Sequence, residues 1–504
     1  MPRSNMHQYG NTKAFAAVMS DGSLQSWGHT GFGAGAHPAG NNFELVVPNE
    51  AAFAALTDSG EIHSFGAGSY GGGHTSGDSS EGAGWAKIYS TQQAFTARKN
   101  SGTTFSWGAN GYGGNDSEGP TDSGWTQIVA TTKAFCAVND GTGSTHSDGD
   151  VHCWGSDNHA GSGEPTNVGS GATLFASRRA VVALKSAGRL EAWGDEGAGG
   201  SGAPVSSNWQ SVHASHDHIA AINTDGALAV WPQIDATATR TAPPATLPGA
   251  AHYTVSTTDS MCSIARRNGV NAGIYCWGRT DHIENYPTDN GYTQIFSSEF
   301  SYVALKADGK LTAWGEEGKG GTGQPTDGGY VDVHASSEAF AALKDTGHVV
   351  AWGNPSDGGD SYPTDGGYVK LFSTDRSFTA LKSDGQVSAW GSSLSGANVP
   401  APTGTGFTEQ ISTWDVRCQP PCSLRSSARL VLPDQLLTRA ARPHALRSWT
   451  TRAASAGADS ASFSERLGAF AVCWRACPSW TRRRPGRGGL RPSFRRTPGC
   501  SLPG

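Results

Sequence analysis

One motif returns ten times along this chain, and that recurrence limits the possible folds more than any other feature. ALKADGKLTAWG (304–315), ALKDTGHVVAWG (342–353) and ALKSDGQVSAWG (380–391) are near copies, each ending in Trp-Gly. The same unit runs backwards through the anchors Trp27, Phe65, Trp107, Trp154, Trp193, Trp231, Trp277, Trp314, Trp352 and Trp390. Successive anchors lie 38, 42, 47, 39, 38, 46, 37, 38 and 38 residues apart. Glycine follows every anchor except Trp231, which precedes Pro232, and Phe65 stands in for Trp at the second. A unit this short cannot bury an apolar face alone, so neighbouring units must stack.

Each unit reads as three short strands. In GGYVKLFS (366–373), Tyr368, Lys370 and Phe372 alternate with Val369, Leu371 and Ser373, which predicts a strand buried on both faces. SFTALKS (377–383) is a second strand, and Asp384-Gly385 closes a hairpin onto QVSAWG (386–391). No window sustains a 3.6-residue period. The chain is therefore all-β, and its stacked units form either a radial propeller or a linear solenoid. The ends of the repeat favour the propeller. The first unit lacks an opening strand and starts near Ala14, while GTGFTEQIST (404–413) is an opening strand with no hairpin after it. Pairing these two would seal a ring and hide its edges. The expected architecture is a β-propeller of about ten three-to-four-stranded repeats over residues 14–413, after a lead at 1–13.

Charge separates the remainder. From Arg417 onward there are 16 Arg and no Lys against Asp434, Asp459 and Glu465, a net +13, which leaves −19 for residues 1–416. The segment 414–504 shares nothing with the repeat. Its cluster Arg482–Arg484, Arg487, Arg491, Arg495 and Arg496 has the charge to bind nucleic acid or acidic lipid. An Arg-rich, Lys-free stretch beside Ala, Ser and Pro instead suggests disorder or mistranslated sequence, and no function is assigned to it. No apolar run of 18 residues exists, so no membrane span is expected. The opening MPRSNMHQYG shows no signal peptide.

The hairpins resemble the regulator of chromosome condensation repeat family, in which a hairpin ends in Trp-Gly before a loop of Asn and Gly; FSWGANGYGG (105–114) and CWGSDNHAG (153–161) match best. The resemblance spans roughly residues 12–413 and implies a propeller that binds proteins. The family's Gln-Leu-Gly is replaced here by bare Gly-Gly, as at Gly113-Gly114, Gly199-Gly200 and Gly320-Gly321. The family propeller commonly has seven blades, so ten units leave one large ring, a split ring or extra repeats all open.

Four of nine cysteines fall into register. Cys136 and Cys262 share one slot of the hairpin, Cys153 and Cys276 the facing one, and the other eight units have cysteine in neither. Facing slots on paired strands suit a disulfide, and both units have longer hairpin loops whose closure a cross-link would offset. Cys136–Cys153 and Cys262–Cys276 are therefore the expected pairs, the alternative being two pairs of small buried thiols. Secreted bacterial members of the resembled family show a similar pairing. An oxidising or extracellular location follows, against which stands the missing signal; a cytoplasmic location is the alternative. Cys418, Cys422, Cys473 and Cys477 lie in the tail with only His444, a poor zinc set.

Catalytic signatures are missing: there is no phosphate loop, His-Glu-x-x-His or nucleophile elbow. His213, His216, Asp217 and His218 form the best metal-like cluster but align with an ordinary strand. SDGGD (356–360) and PTDGG (363–367) lack the carboxylate pattern of a calcium loop and read as turns. Asn115-Asp116-Ser117 is a glycosylation sequon, meaningful only in a secreted chain. The anchor tryptophans, at one slot throughout, read as core. No cofactor, metal or enzymatic activity is expected. The function expected is a monomeric protein-binding scaffold whose post-anchor loops offer Asp195, Glu196, Glu316, Glu317, Asp357 and Asp360 to a basic protein partner, with no nucleic acid bound by the propeller. Alternatives are exchange on a small GTPase or the repeat arm of a ubiquitin ligase, and beyond these a secreted enzyme inhibitor or lectin-like binder.

Overall fold

The computed structural model describes residues 10–74, 82–143, 145–234, 237–248, 251–267, 270–392 and 402–412. Residues 1–9 of the lead and the tail from 413, with Cys418, Cys422, His444, Cys473, Cys477 and the arginine cluster, lie outside the described residues. Ten antiparallel sheets follow one another, one per repeat. Nine are three-stranded; the seventh adds a two-residue strand, Arg240–Thr241, beside Val270–Arg279. In units two to ten the first strands start at Phe43, Trp85, Trp125, Thr173, Trp209, Ala251, Tyr292, Tyr330 and Tyr368. The first sheet is assembled from both ends of the repeat. Phe407–Ile411 pairs antiparallel with Ala14–Met19, which pairs with Leu24–Gly28. The Ser412 amide donates to the Ala16 carbonyl at 2.7 Å, and the Thr408 hydroxyl to the Val18 carbonyl at 2.6 Å.

The core lies between units. Ten apolar clusters each join one sheet to the next, from Ala14–Phe53 between units one and two to Ala339–Trp390 between nine and ten. The tenth closes the circuit by packing Phe372 and Leu381 against Phe15, Trp27, Phe407 and Ile411. A ring results, and the chain is a propeller of ten blades.

The middle strand is the most buried because it faces a neighbour on both sides: in Ala339–Lys344 only Lys344 reaches solvent. Its aromatic stacks on the anchor directly opposite, as in Phe340 on Trp352 (5.6 Å, 23°). The anchor then reaches the preceding blade. Trp352 Nε1 donates to the Gly320 carbonyl at 3.1 Å, and Trp390 does the same to Gly358. This explains the Gly-Gly signature. At Gly320, with φ +93°, a Cβ would sit 2.5 Å from the Phe340 ring, and at Gly321 it would sit 2.4 Å from the Gly315 oxygen. A side chain at Gly320 would push the next blade away, and one at Gly321 would collide with the backbone of its own loop.

The first strand departs from simple alternation. Tyr368 faces Lys382 but Lys370 faces Leu381, so Val369 is bulged out and 50% exposed rather than buried. The same one-residue slip recurs in six other units. The PTD-x-Gly-Tyr segments also do more than turn. Tyr330 donates to Asp327 at 3.0 Å, Lys344 pairs with the same carboxylate, and its ammonium lies 5.1 Å above the Tyr330 ring. Asp289–Tyr292–Lys306 and Asp365–Tyr368–Lys382 repeat this clamp.

Cys136 faces Cys153 and Cys262 faces Cys276 across their hairpins, Cα atoms 4.1 Å apart, with each pair joined as a disulfide. No helix among the described residues is long and apolar enough to cross a membrane.

Candidate binding face at the inner turns

The segment leading into the second strand is built alike in every blade, and in blades two to ten it is the turn from the first strand. Its first position is Asn, Thr or Ser: Asn11, Asn49, Thr91, Thr131, Ser177, Ser215, Thr257, Ser298, Ser336 and Thr374. This side chain accepts from the amide three residues on, as Asn49 does from Ala52 at 2.8 Å. In several blades it also donates to the post-anchor loop: Asn49 to the Tyr70 carbonyl at 2.8 Å, Thr131 to that of His159 at 2.7 Å, and Ser336 to that of Asp357 at 2.8 Å. Turn and loop are thereby locked into one surface.

The second turn position links blade to blade. The Thr12 amide donates to Glu50, Glu50 to Gln92, Gln92 to Thr132, Thr132 to Arg178 and Arg178 to His216; a second run joins Thr258, Glu299, Ser337 and Asp375. Chains bridged in this way lie about 5 Å apart, and eight of the ten steps around the ring are so bridged, which sets the turns around a circle on the order of 15 Å across. Residues spread over the whole sequence are thus gathered around one mouth.

Charge on this circle is divided. Glu299, Asp375 and Glu50 belong to blades eight, ten and two. Burial, and then Asp375, pushes the Glu299 carboxyl up to about 7; burial likewise raises Asp375 and Glu50. Across the circle, blades four and five bring Lys133, Arg178 and Arg179. His159, in the loop of blade four, is lowered to about 4 by burial and then by Lys133, Arg179 and Arg178.

The six loop acids expected from sequence behave differently from one another. Glu196, Glu317 and Asp360 are exposed. Asp195 is engaged by Arg179 at 3.0 Å, and Glu316 by Lys319 at 3.1 Å with His282 at 3.4 Å. Asp357 is a correction to the idea of an open acidic rim: it is 2% exposed, lies 3.4 Å from Arg376, and burial raises it to about 6. Asp195 and Glu196 fall in the basic sector, while Glu316, Glu317, Asp357 and Asp360 share the arc of Glu299 and Asp375. Sequence reasoning passed over Glu50, Glu299 and Asp375; aligning the residue after the turn Ser, Thr or Asn would have found them.

The histidine cluster is dispersed. His213 and His218 are buried, and His216 Nδ1 lies 3.3 Å from Asp217 and 3.4 Å from Arg178. Among the described residues no group of three or more His, Cys, Asp or Glu could hold a metal. The sequon Asn115 sits in an exposed turn, its amide donating to Glu118 at 2.9 Å.

No family model matches this chain, and no curated protein matches it significantly. Among solved structures it is similar to the ectodomain of the receptor kinase CR4 of Physcomitrella patens (17% identity, TM-score 0.31, 51% of this chain and 70% of that one). It is similar too to the WD40 ectodomain of the Arabidopsis thaliana receptor kinase ACR4 (16%, 0.30, 52% and 90%) and to yeast RCC1 (Prp20) bound to Kap60 (15%, 0.34, 67% and 91%). At these scores the propeller assignment rests on the ten sheets themselves and on their closed circuit of cores.

Proposed function

We propose that this chain is a non-catalytic protein-binding scaffold whose inner-turn face docks a basic segment of a partner protein. The observation that carries this reading is the acidic arc of blades eight to two. There Glu299, Asp375 and Glu50 lie on the circle and the exposed Glu317 and Asp360 stand on the loops beside it. A rigid ring orders these carboxylates before the partner arrives, and a like-charged arc steers a cationic partner towards it. The proposed site is smaller than the six loop acids suggest, because Asp195, Glu316 and Asp357 already hold cations of the ring, and on the circle itself Arg376 stands 3.7 Å from Asp375.

The test uses the full chain and fluorescent peptides rich in either Lys or Glu, followed by anisotropy at low salt. The Lys-rich peptide should bind, and Glu317→Lys with Asp360→Lys should weaken it about tenfold, a loss of about 1.4 kcal/mol. Lowering pH from 8 to 5.5 should weaken it too, since burial raises Glu299 to about 7 and it is protonated over that range. Equal binding of both peptides would refute the reading.

A further inference from the structure

Blade four fastens its first strand differently from blades eight to ten. In those blades a carboxylate three residues before the aromatic takes the aromatic's hydroxyl on one oxygen and a lysine of the facing strand on the other. Asp365 takes Tyr368 and Lys382 in this way. Blade four keeps the first half, Trp125 Nε1 donating to Asp122 Oδ1 at 2.8 Å. It lacks the second, because Asn139 stands opposite Trp125 where Lys382 stands opposite Tyr368. Asp122 Oδ2 is served from the hairpin loop instead: it accepts from Thr145 Oγ1, and His146 Nε2 lies 3.2 Å away. The His146 ring rests 5.0 Å from the Trp125 ring, much as the Lys382 ammonium rests 5.1 Å above Tyr368. The other ring nitrogen, Nδ1, lies 3.5 Å from Asp150 Oδ2, which also accepts from the Ser147 amide at 2.8 Å. An imidazole standing between two carboxylates, one at each nitrogen, donates to both only when it carries two protons. A lysine keeps its charge across the physiological range, whereas an imidazole changes charge between about pH 5 and 8.

We propose that His146 makes the hairpin of blade four a proton-operated latch. Protonated, it ties residues 145–150 to the first strand through Asp122 and Asp150; neutral, it serves only one of them, and the hairpin loosens. The two acids do not compete for the proton. Against a burial that would raise it, bonds from Thr145 and Trp125 and the charge of His146 hold Asp122 below the usual carboxylate range; bonds from Asn167 and Ser147 do the same for Asp150. The other charged groups around the ring are engaged elsewhere: Asp148 with Ser170, Asp140 with Thr142, Arg98 with the Trp125 carbonyl at 3.1 Å, and His152 Nε2 with the Glu118 carbonyl at 2.7 Å. Asn167 donates to Asp150 at 2.6 Å and to the Asp148 carbonyl at 3.1 Å, so the latch also bears on the chain leading into blade five. The hairpin lies at the end of its sheet away from the inner turns, and the latch therefore works independently of the acidic arc.

The test follows amide hydrogen exchange by mass spectrometry in the full chain, disulfides intact, at pH 5.5 and 8, with rates corrected for the intrinsic effect of pH. In the parent, protection of the peptide spanning 139–151 should fall about two- to fivefold at pH 8, the size of one exposed ion pair. His146→Lys should keep the protected state at both pH values, and His146→Gln the loosened state at both. The corresponding hairpin of blade nine, held by Lys344 on Asp327, should not respond and is the internal control. His146 is exposed, so both variants should fold, which unchanged exchange in the other blades verifies. Equal protection of the parent at the two pH values overturns the proposal. A fall of the same size in His146→Gln overturns it too, because the titrating group would then be another, such as His152.

Discussion

Tyr302 shows how one hydroxyl joins two blades. Phe340 and Phe378 fill the same slot elsewhere, so the ring of Tyr302 fits as theirs do, but its hydroxyl continues into blade seven. It lies 2.9 Å from Ser260 Oγ and accepts from the Thr257 amide at 3.1 Å; Thr257 Oγ1 then meets Nδ1 of His282, which is 0% exposed, at 3.0 Å. Tyr302→Phe should leave the packing intact and strand buried polar groups, lowering stability by about 1–3 kcal/mol in urea titrations. Glu299 supplies the pH dependence. Its folded value of about 7 exceeds the ordinary 4.5, so between those values the folded state holds a proton that the unfolded chain releases. This penalty is therefore largest above pH 7 and fades as pH falls through it. Glu299→Gln should raise stability at pH 8 by on the order of 1 kcal/mol, allowing for its partial exposure, and by nothing near pH 5. His159 acts oppositely, losing stability as pH falls from 6.5 towards 4, so the difference between variant and parent is the measurement to make.

At the scale of the hairpin, the two disulfides act where the loop is longest. Cys136 and Cys153 close 17 residues, Cys262 and Cys276 close 14. Loops of that size predict about 3 kcal/mol per bridge. Cys136→Ala and Cys153→Ala should be equally destabilising and the double variant no worse than either. Non-reducing peptide maps of protein made in an oxidising compartment should show two cross-links within hairpins; four alkylatable thiols would contradict them. What could be read at this scale followed from repetition. Ten copies aligned on Trp-Gly reveal which slots face each other, which is how Cys136 was matched to Cys153 from sequence. The bulge at Val369 escaped because period-two alternation assumes an unbroken register, and nothing in YVKLFS marks the slip. The charged mouth escaped for a different reason: Glu50 lies 249 residues before Glu299 and 325 before Asp375, and only closure brings it onto their arc. The clamp of Asp327, Tyr330 and Lys344 depends on a turn that carries the carboxylate back over its own strand.

For the molecule as a whole, the sealing strand decides whether ten blades behave as one body. Phe407 and Ile411 are both buried, the former edge-on to Trp27 at 5.6 Å. Removing residues 405–412 forfeits about 3–6 kcal/mol of apolar burial and opens the edges of the first sheet. The parent should unfold in one transition, whereas the deletion should melt earlier and in separated steps, because a ring cut open becomes an array with free ends. A variant that melts like its parent would show that closure contributes nothing.

The antiparallel sense of that seam has a mechanical side. Ala14 begins its strand at the same end of the sheet where Ile411 finishes, with Ala17 opposite Ile411 and Met19 opposite Phe407. Tension applied through the chain on either side of the ring therefore peels the two strands apart one hydrogen bond at a time, and never loads them together. A seal that is strong against heat, because the whole circuit of cores must loosen at once, is weak against pulling. In a force experiment the ring would open first at its seam like a zip, at low load, and the nine remaining sheets would yield afterwards, one after another.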